Sequence, residues 1–418
     1  MINILKNKIL IYLSIIIIIA CNGPQSLNQI DLAREYDNHG AHLSFHSTFS
    51  HVNDSITAID FQFNPNQLLF SKNTKSEYIS RYSIAYKVFK SYNDDEAIDT
   101  TEIHYSLNQS KKTGEKKTHK IKMFVPIGAN YIVQLSLKDE NSQQQKSKFI
   151  PLQKKNKHSE SFFTIKAENN SLKGNFQKDS FNISYGLPLP KTLKVLTFNR
   201  QPLSAPKPYQ VSYTFSFLGE PDSTWLTTIP SNGSAVFPPI KNGFYHFITD
   251  TINKKGFSTF HISEEFPKTT SLNDAIGAMG YLLSKKDYAR LITHNDKRMA
   301  FEWEWKRMAG GKNRARNLIK QYYESINQAN QLFTSYKPGW STDRGMIYIV
   351  YGLPSVVYRY DESEVWIYGE ENNLLSEVFN FKKINSAISP NIYELERNIN
   401  YKTSWDRMVT SWKEDRGF

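Results

Sequence analysis

Hydrophobic and polar residues alternate along much of the chain between residues 40 and 268, as they do in strands that bury one face. The positions that show the alternation best in the first half are Ile84, Tyr86, Val88, Ile121, Met123, Val125, Tyr131, Val133, Leu135 and Leu137. In the second half they are Val211, Tyr213, Phe215 and Phe217, followed by an aromatic-rich run at 244–248. Polar or turn-rich stretches separate these runs, so the sequence predicts two antiparallel β-domains.

The period changes at Ser271, beyond which apolar residues recur at helical spacing. The predicted helices are 273–284, 287–308 and 317–335, the last with one clear apolar face. The predicted strands that follow are 346–351, 364–368 and 378–381, and the spacing of Trp405, Met408, Val409 and Trp412 predicts a closing helix. The sequence therefore predicts helices packed on a small antiparallel sheet.

These patterns divide the chain into two tandem all-β, sandwich-like domains and a C-terminal α+β domain. The predicted segments are a signal peptide at 1–20, a lipidated tether at 21–39, β-domains at 40–167 and 168–268, and the α+β domain at 269–418. A chain of 418 residues is long enough for this number of domains.

The first twenty residues have the three parts of an export signal. Lys6 and Lys8 form a basic start, the run Ile9 to Ile19 is apolar, and Ala20 precedes Cys21 as in the lipobox of bacterial lipoproteins. The apolar run is shorter than the roughly 20 residues that span a bilayer. We expect cleavage before Cys21 and lipid on its sulfur, with an uncleaved membrane anchor as the alternative.

Cys21 is the only cysteine, which excludes disulfides and cysteine-based metal sites. The formal net charge of +12 suggests contact with lipid phosphate or an acidic protein, or simply a solvated basic surface. Export argues against nucleic acid as a partner. No cofactor is predicted, because the sequence contains no glycine-rich phosphate loop and no metalloprotease helix motif.

The residues Gly339-Trp340-Ser341-Thr342-Asp343-Arg344-Gly345, followed by Met346-Ile347-Tyr348-Ile349-Val350-Tyr351-Gly352-Leu353-Pro354, resemble the GWxTD domain of Bacteroidota and related bacteria. The resemblance extends to Glu364-Val365-Trp366-Ile367-Tyr368. It implies an exported protein, often a lipoprotein with β-domains ahead of the motif domain, and it implies no established catalytic residues. Some outer-membrane lipoproteins of this build resemble accessory subunits of envelope machines, including the β-barrel assembly complex.

We expect the motif to be structural or partner-binding rather than catalytic. The residues concerned are Gly339, Trp340, Thr342, Asp343, Arg344, Gly345 and Trp366. Trp340 suits an anchor on the preceding helix, and Thr342 and Asp343 can bond nearby backbone N–H groups. Gly345 suits a positive φ, and Arg344 can pair with Asp343 or Glu364.

Two chemical alternatives remain open. Asp343 and Glu364 could act as an acid and base pair, although no histidine follows His294 to assist them. Histidines also cluster near the start of the first β-domain, at positions 39, 42, 46 and 51. His42 and His46 would share one side of a strand and are candidate zinc ligands, but surface histidines without a metal are the preferred interpretation.

The sequence thus favours a non-enzymatic outer-membrane lipoprotein that acts as a binding or scaffold subunit of an envelope complex. The alternatives are a surface lipoprotein that binds glycan or peptide through its β-domains and, less favoured, an envelope hydrolase. Residues 22–30 contain no acidic residue after Cys21, which favours the periplasmic over the cell-surface face of the membrane.

Overall fold

The computed structural model describes residues 26–37, 43–108, 115–167, 179–200, 202–212, 219–240, 243–252, 255–263 and 265–414. The predicted signal peptide and the lipidation site Cys21 lie outside this part of the chain, as does His42. Within the described ranges, no helix is long and apolar enough to cross a membrane.

The N-terminal segment, residues 26–37, is folded and packed, which corrects the prediction of a tether for this part of the chain. It contains a 3-10 helix, Leu27–Gln29, and the short helix α1, Ala33–Tyr36. The side chains of Leu27, Leu32 and Tyr36 are buried in the core of the C-terminal domain. The sequence pattern missed this because a few apolar residues have no periodicity, and their partners lie far away in sequence.

The first β-domain is a pair of antiparallel sheets. Its strands are β1 (Phe45–His51), β2 (Ile56–Phe63), β3 (Ser71–Lys72), β4 (Tyr78–Phe89), β5 (Asp99–Asn108), β6 (Lys117–Phe124), β7 (Ala129–Asp139) and β8 (Gln145–Lys154). One sheet has the order β1-β2-β6, and the other has β3-β4-β7-β8 with β5 also paired to β4. Alternate residues such as Phe61, Ile84 and Leu135 meet in a core between the sheets, as the period-two pattern predicts.

The second β-domain repeats this two-sheet arrangement. Its strands are β9 (Phe163–Ala167), β10 (Phe181–Tyr185), β11 (Lys191–Phe198), β12 (Ser223–Ile229), β13 (Ser234–Phe237), β14 (Gly243–Asp250) and β15 (Lys255–His261). The sheets have the orders β13-β10-β9 and β12-β11-β14-β15. Of the strand predicted at 211–217, Val211 lies in a turn and residues 213–217 lie outside the described chain.

The strands of the second β-domain end at His261, and the helices of the C-terminal domain begin at Leu272. The helices are α2 (Leu272–Met279), α3 (Lys285–Thr293), α4 (Lys297–Ala309), α5 (Lys312–Phe333), α6 (Asp343–Tyr351) and α7 (Tyr401–Lys413). The segment predicted as one helix at 287–308 is two helices, because Asp296 caps a new one by accepting a hydrogen bond from the backbone N–H of Met299 at 2.9 Å. The apolar face predicted for 317–335 is the buried face of α5.

The segment predicted as a strand at 346–351 is helical, and this is a second correction. Every residue of α6 is buried, from Asp343 to Tyr351. A short apolar run that is buried on all sides has no periodicity that separates a helix from a strand. The N-cap at Thr342 and the packing of neighbouring elements stabilise the helical conformation of this segment.

The remaining strands of the C-terminal domain form one antiparallel sheet in sequence order. They are β16 (Val356–Arg359), β17 (Ser363–Tyr368), β18 (Glu377–Lys383) and β19 (Tyr393–Leu395). The N-terminal segment covers the edge at β16, where the N–H of Leu32 donates to the carbonyl of Val357 at 2.8 Å. The N–H of Val357 in turn donates to Asp31 Oδ1 at 2.9 Å. These bonds satisfy backbone groups that an open sheet edge would expose.

The predicted fold class, two β-sandwich-like domains and an α+β domain, is confirmed.

Candidate functional site

The glycines of the motif permit two close backbone crossings. A Cβ on Gly339 would lie 1.9 Å from the carbonyl oxygen of Ala329 on α5, and a Cβ on Gly345 would lie 1.8 Å from that of Gly339. Both distances are far shorter than any real contact. Gly345 lies within helix α6 and not in a left-handed turn, so the positive φ predicted for it is wrong. Glycine is needed here for space rather than for backbone conformation.

Trp340 joins two helices. Its backbone N–H donates to Asn330 Oδ1 on α5 at 3.1 Å, while its indole ring covers Gly277 of α2, where a Cβ would approach the ring to 2.8 Å. The side chain is almost completely buried. Trp340 therefore holds the 3-10 helix Gly339–Ser341 against both the preceding helix and α2.

Thr342 is the N-cap of α6. Its hydroxyl accepts a hydrogen bond from the N–H of Gly345 at 3.0 Å and donates to the carbonyl of Gly339 at 2.8 Å. The side chain thus satisfies one of the free N–H groups at the helix start. It also fixes the backbone that brings Gly339 and Gly345 together.

Asp343 forms a buried ion pair with Arg397, a residue that the sequence analysis did not single out. Its Oδ2 also accepts a hydrogen bond from the N–H of Leu395 at 3.0 Å. Arg397 Nη2 reaches the carbonyl of Pro206 at 3.3 Å, in the segment that follows the second β-domain's first strands. Asp343 therefore connects helix α6 to β19 rather than to a solvent-filled site.

Arg344 is enclosed by aromatic and polar groups. Its guanidinium lies 3.8 Å from the ring centroid of Tyr393 and donates to Asn391 Oδ1. Its Nη1 lies 3.5 Å from Glu364 Oε2, one of the two partners predicted for it. Stacking on an aromatic face and a paired carboxylate together compensate for its burial.

Glu364 is the centre of the site and is completely buried. Its carboxylate accepts hydrogen bonds from Arg359 Nε at 2.7 Å, from the Tyr36 hydroxyl at 2.6 Å and from the indole N–H of Trp366 at 2.6 Å. Burial alone would raise the pKa of Glu364, but the guanidiniums of Arg359 and Arg344 lower it to about 2. The acidic residue that precedes the aromatic strand is therefore an ionised structural group.

The N-terminal segment supplies the partners that sequence reasoning missed. The Tyr36 hydroxyl accepts a hydrogen bond from Arg359 Nη2 at 2.7 Å, and Glu35 Oε2 lies 2.9 Å from Arg359 Nη1. Glu35 also accepts the backbone N–H of Phe149 on β8. Tyr36 and Glu364 are 328 residues apart in sequence, and no short-range pattern connects them. We name the group formed by Tyr36, Arg344, Arg359, Glu364 and Trp366 the Glu364 network.

The geometry does not support an acid and base pair at Asp343 and Glu364. Asp343 is paired with Arg397 and Glu364 with Arg359 and Arg344, and Glu364 is ionised at neutral pH and inaccessible to solvent. A cavity of about 20 Å³ beside Thr342, Asp343 and Arg344 has room for about one water molecule. This cavity beside the motif is therefore too small for a substrate.

The described histidines of the N-terminal cluster do not converge on a metal site. His46 lies exposed on β1. His51 is buried, with Nδ1 2.9 Å from Thr57 Oγ1 and Nε2 2.9 Å from the carbonyl of Gln153, and burial lowers its pKa to about 4. Among the residues whose placement is described, no group of three or more His, Cys, Asp or Glu side chains could hold a metal ion.

A family model described as the GWxTD domain matches residues 243–414. The chain contains a GWxTD domain. The matched region begins at β14, so the family model includes the last two strands of the second β-domain together with all the helices α2 to α7.

No curated protein matches the chain. Among solved structures, the chain is similar to red sea bream transglutaminase at 11% sequence identity, covering 55% of this chain and 33% of that one, with a TM-score of 0.19. The chain thus spans about a third of that enzyme's length. A similarity at this TM-score supports no statement about fold or activity.

Proposed function

We propose that this protein is a non-enzymatic lipoprotein of the outer membrane of a Bacteroidota bacterium, acting as a binding or scaffold subunit of an envelope complex. The complex that the family resemblance suggests is the β-barrel assembly machinery. The observation that carries the proposal is the burial of the motif: each of its charged side chains is paired with an opposite charge inside a closed core. Such residues support a surface presented elsewhere instead of reacting with a substrate.

The N-terminal segment supports a membrane-proximal position for the GWxTD domain. If Cys21 carries lipid, the five residues that lead to Ser26 span at most about 17 Å when fully extended. From Ser26 onward the chain is fixed by bonds to both β16 and β8. A lipid on Cys21 would then hold the folded domains close to the bilayer, without a long flexible linker.

Co-purification from membranes tests the scaffold role. A tagged chain extracted in mild detergent should recover a stoichiometric outer-membrane protein, and a Cys21→Ser variant should lose both metabolic palmitate labelling and that partner. Elution of the tagged wild-type chain as a lone monomer under the same conditions would contradict the proposal.

Protease treatment of intact cells tests which face of the outer membrane the protein occupies. Resistance to the protease is expected if the protein faces the periplasm.

A cleft between the two β-domains favours the second candidate function, peptide capture. The cleft has a volume of about 460 Å³ and is lined by residues 47–50 of β1 and 163–166 of β9. Within the described strands, β1 and β9 are each the last strand of their sheet. An extended peptide could add its backbone to these edges. Amide hydrogen exchange with a library of short extended peptides tests this: slower exchange in β1 and β9 supports it, and unchanged exchange contradicts it.

A further inference from the structure

The basic charge of the C-terminal domain is concentrated on one group of helices. Residues 285–320 contain eleven Lys and Arg against four Asp and Glu, a net charge of +7. Residues 321–414 contain nine against twelve, a net charge of −3. Ten of those eleven cations are exposed. Helices α3, α4 and the first half of α5 therefore form a strongly basic surface on a domain that is otherwise acidic.

An exposed tryptophan lies within this basic surface. The side chain of Trp303 on α4 is 50% exposed, whereas Trp305, two residues further on, is buried. The guanidinium of Arg290 lies 5.0 Å from the Trp303 ring centroid, and that of Arg307 lies 5.7 Å from it. The indole ring thus lies close to two cations while part of it faces solvent.

The two arginines are themselves fixed from below. Glu304 is only 1% exposed and pairs with both Arg290 and Arg307, the latter at 2.7 Å. Asp287 on α3 also bonds Arg290, at 2.9 Å. The buried carboxylate holds both arginines in place before any ligand binds. Binding at their exposed side therefore costs little further side-chain entropy. The surface is therefore preorganised.

Two further apolar side chains are exposed on the same helices. Ile292 on α3 is 43% exposed and Met299 on α4 is 55% exposed, while Leu291 and Ala300 beside them face the core. We name the surface formed by Arg290, Ile292, Met299, Trp303, Lys306 and Arg307 the Trp303 patch. It combines partly exposed apolar side chains with exposed arginine and lysine side chains.

We infer that the Trp303 patch is a membrane-contact surface that binds the phosphate headgroups of an anionic lipid bilayer. The choice of a lipid surface rests on charge complementarity: ten exposed cations spread over three neighbouring helices match a plane of phosphate groups. Near an anionic leaflet each Lys or Arg strengthens binding about fivefold, and tryptophan favours the headgroup region. This inference goes beyond the proposed function, and it requires no lipid on Cys21.

The test uses the chain from residue 21 onward with Cys21→Ser, so that lipidation cannot contribute to binding. Sedimentation with vesicles of phosphatidylcholine containing about one third phosphatidylglycerol should recover the protein at low salt. Vesicles of phosphatidylcholine alone should not. The triple variant Lys297→Gln, Arg298→Gln and Lys306→Gln removes Lys306 of the Trp303 patch and the two exposed cations that precede Met299 on α4, and it should weaken binding about a hundredfold. Arg298 and Lys306 form exposed ion pairs with Glu302, and Lys297 is exposed, so folding should be unaffected.

A charge-matched control separates the patch from net charge. Lys75→Gln, Lys87→Gln and Lys90→Gln remove three exposed cations from the first β-domain and should leave vesicle binding within about twofold of the parent. Brominated lipid should quench part of the tryptophan fluorescence, and Trp303→Phe should remove that quenching. Both proteins carry Trp225→Phe in this experiment, because Trp225 on β12 is itself 37% exposed, whereas the remaining tryptophans 305, 340, 366, 405 and 412 are buried.

Three results of the vesicle experiments would overturn the inference. They are the absence of binding to anionic vesicles at low salt, equal losses in the two triple variants, and quenching that persists in Trp303→Phe. Binding to soluble polyglutamate in preference to vesicles would also overturn it and would assign the patch to an acidic protein partner. None of these results bears on co-purification of an outer-membrane partner, so failure here and failure of the proposed function are distinguishable.

Discussion

Gly339 and Gly345 bring three stretches of backbone into contact at the start of α6. The carbonyl of Ala329 on α5 lies against Gly339, and the carbonyl of Gly339 lies against Gly345. Any side chain at either position would separate α5 from α6. The glycines of the motif are therefore explained by packing, with no need for a ligand.

Gly345→Ala should lower the free energy of unfolding by about 3 kcal/mol or more, because a methyl group cannot fit 1.8 Å from a backbone oxygen. Urea unfolding followed by circular dichroism measures the loss. The matched control is Gly311→Ala, at a position where nothing lies within 4 Å of the added Cβ. Equal stability of the two variants would contradict the packing explanation.

Glu364 should control stability in acid. Its pKa in the folded protein is about 2, against an ordinary value of 4.5. The unfolded chain therefore binds more protons between these values, so stability from ionised Glu364 is complete above about pH 4.5 and is lost as pH falls through 2. Glu364→Gln should lower the free energy of unfolding at neutral pH by about 3 to 5 kcal/mol, because it leaves buried arginines uncompensated.

The pH dependence of the Glu364→Gln variant provides the sharper comparison. Its free energy of unfolding should fall less steeply than that of the wild type between neutral pH and acid. Glu302→Gln is the control, since that carboxylate is 54% exposed and its removal should change stability by about 0.5 kcal/mol or less. Parallel curves for wild type and Glu364→Gln would show that another group dominates.

At the scale of elements, the N-terminal segment behaves as part of the GWxTD domain. It covers the β16 edge, and through Tyr36 it completes the hydrogen bonding of Glu364 and Arg359. Through Glu35 it also reaches β8 of the first β-domain. Helix α1 thus connects the GWxTD domain, through Tyr36, with the first β-domain, through Glu35.

Tyr36→Phe should lower the free energy of unfolding by about 1 to 3 kcal/mol, because both Glu364 and Arg359 lose a buried hydrogen-bond partner. Chemical denaturation measures the change. Tyr78→Phe is the control, because that ring is 47% exposed and loss of its hydroxyl should have little effect. A Tyr36→Phe variant as stable as Tyr78→Phe would mean that the hydroxyl contributes nothing to the Glu364 network.

At the scale of the whole molecule, one hydrophobic core crosses the domain boundaries. It includes Leu32 and Tyr36 of the N-terminal segment, Tyr92 and Phe149 of the first β-domain, and the helices and sheet of the GWxTD domain. A core shared in this way couples the unfolding of the parts that contribute to it. The domains should therefore not unfold independently of one another.

Deletion of residues 26–37 should lower the melting temperature of the GWxTD domain, because it exposes the β16 edge and leaves Arg359 without Glu35 and Tyr36. Differential scanning calorimetry measures this. Deletion of residues 22–25 alone is the control and should leave the melting temperature unchanged. If both deletions melt like the intact chain, the N-terminal segment contributes no stability and its contacts are incidental.

The sequence by itself determined the alternating strands of the β-domains, the amphipathic helix α5 and the GWxTD motif, because these depend on periodicity and local residue order. Only the tertiary structure decided that Met346–Tyr351 is a helix, since burial on every side removes the periodic signal. It also decided that Glu364 is bound by Tyr36, which lies 328 residues away. Local patterns record which face of an element is buried, but they do not record which distant charges meet once it is buried.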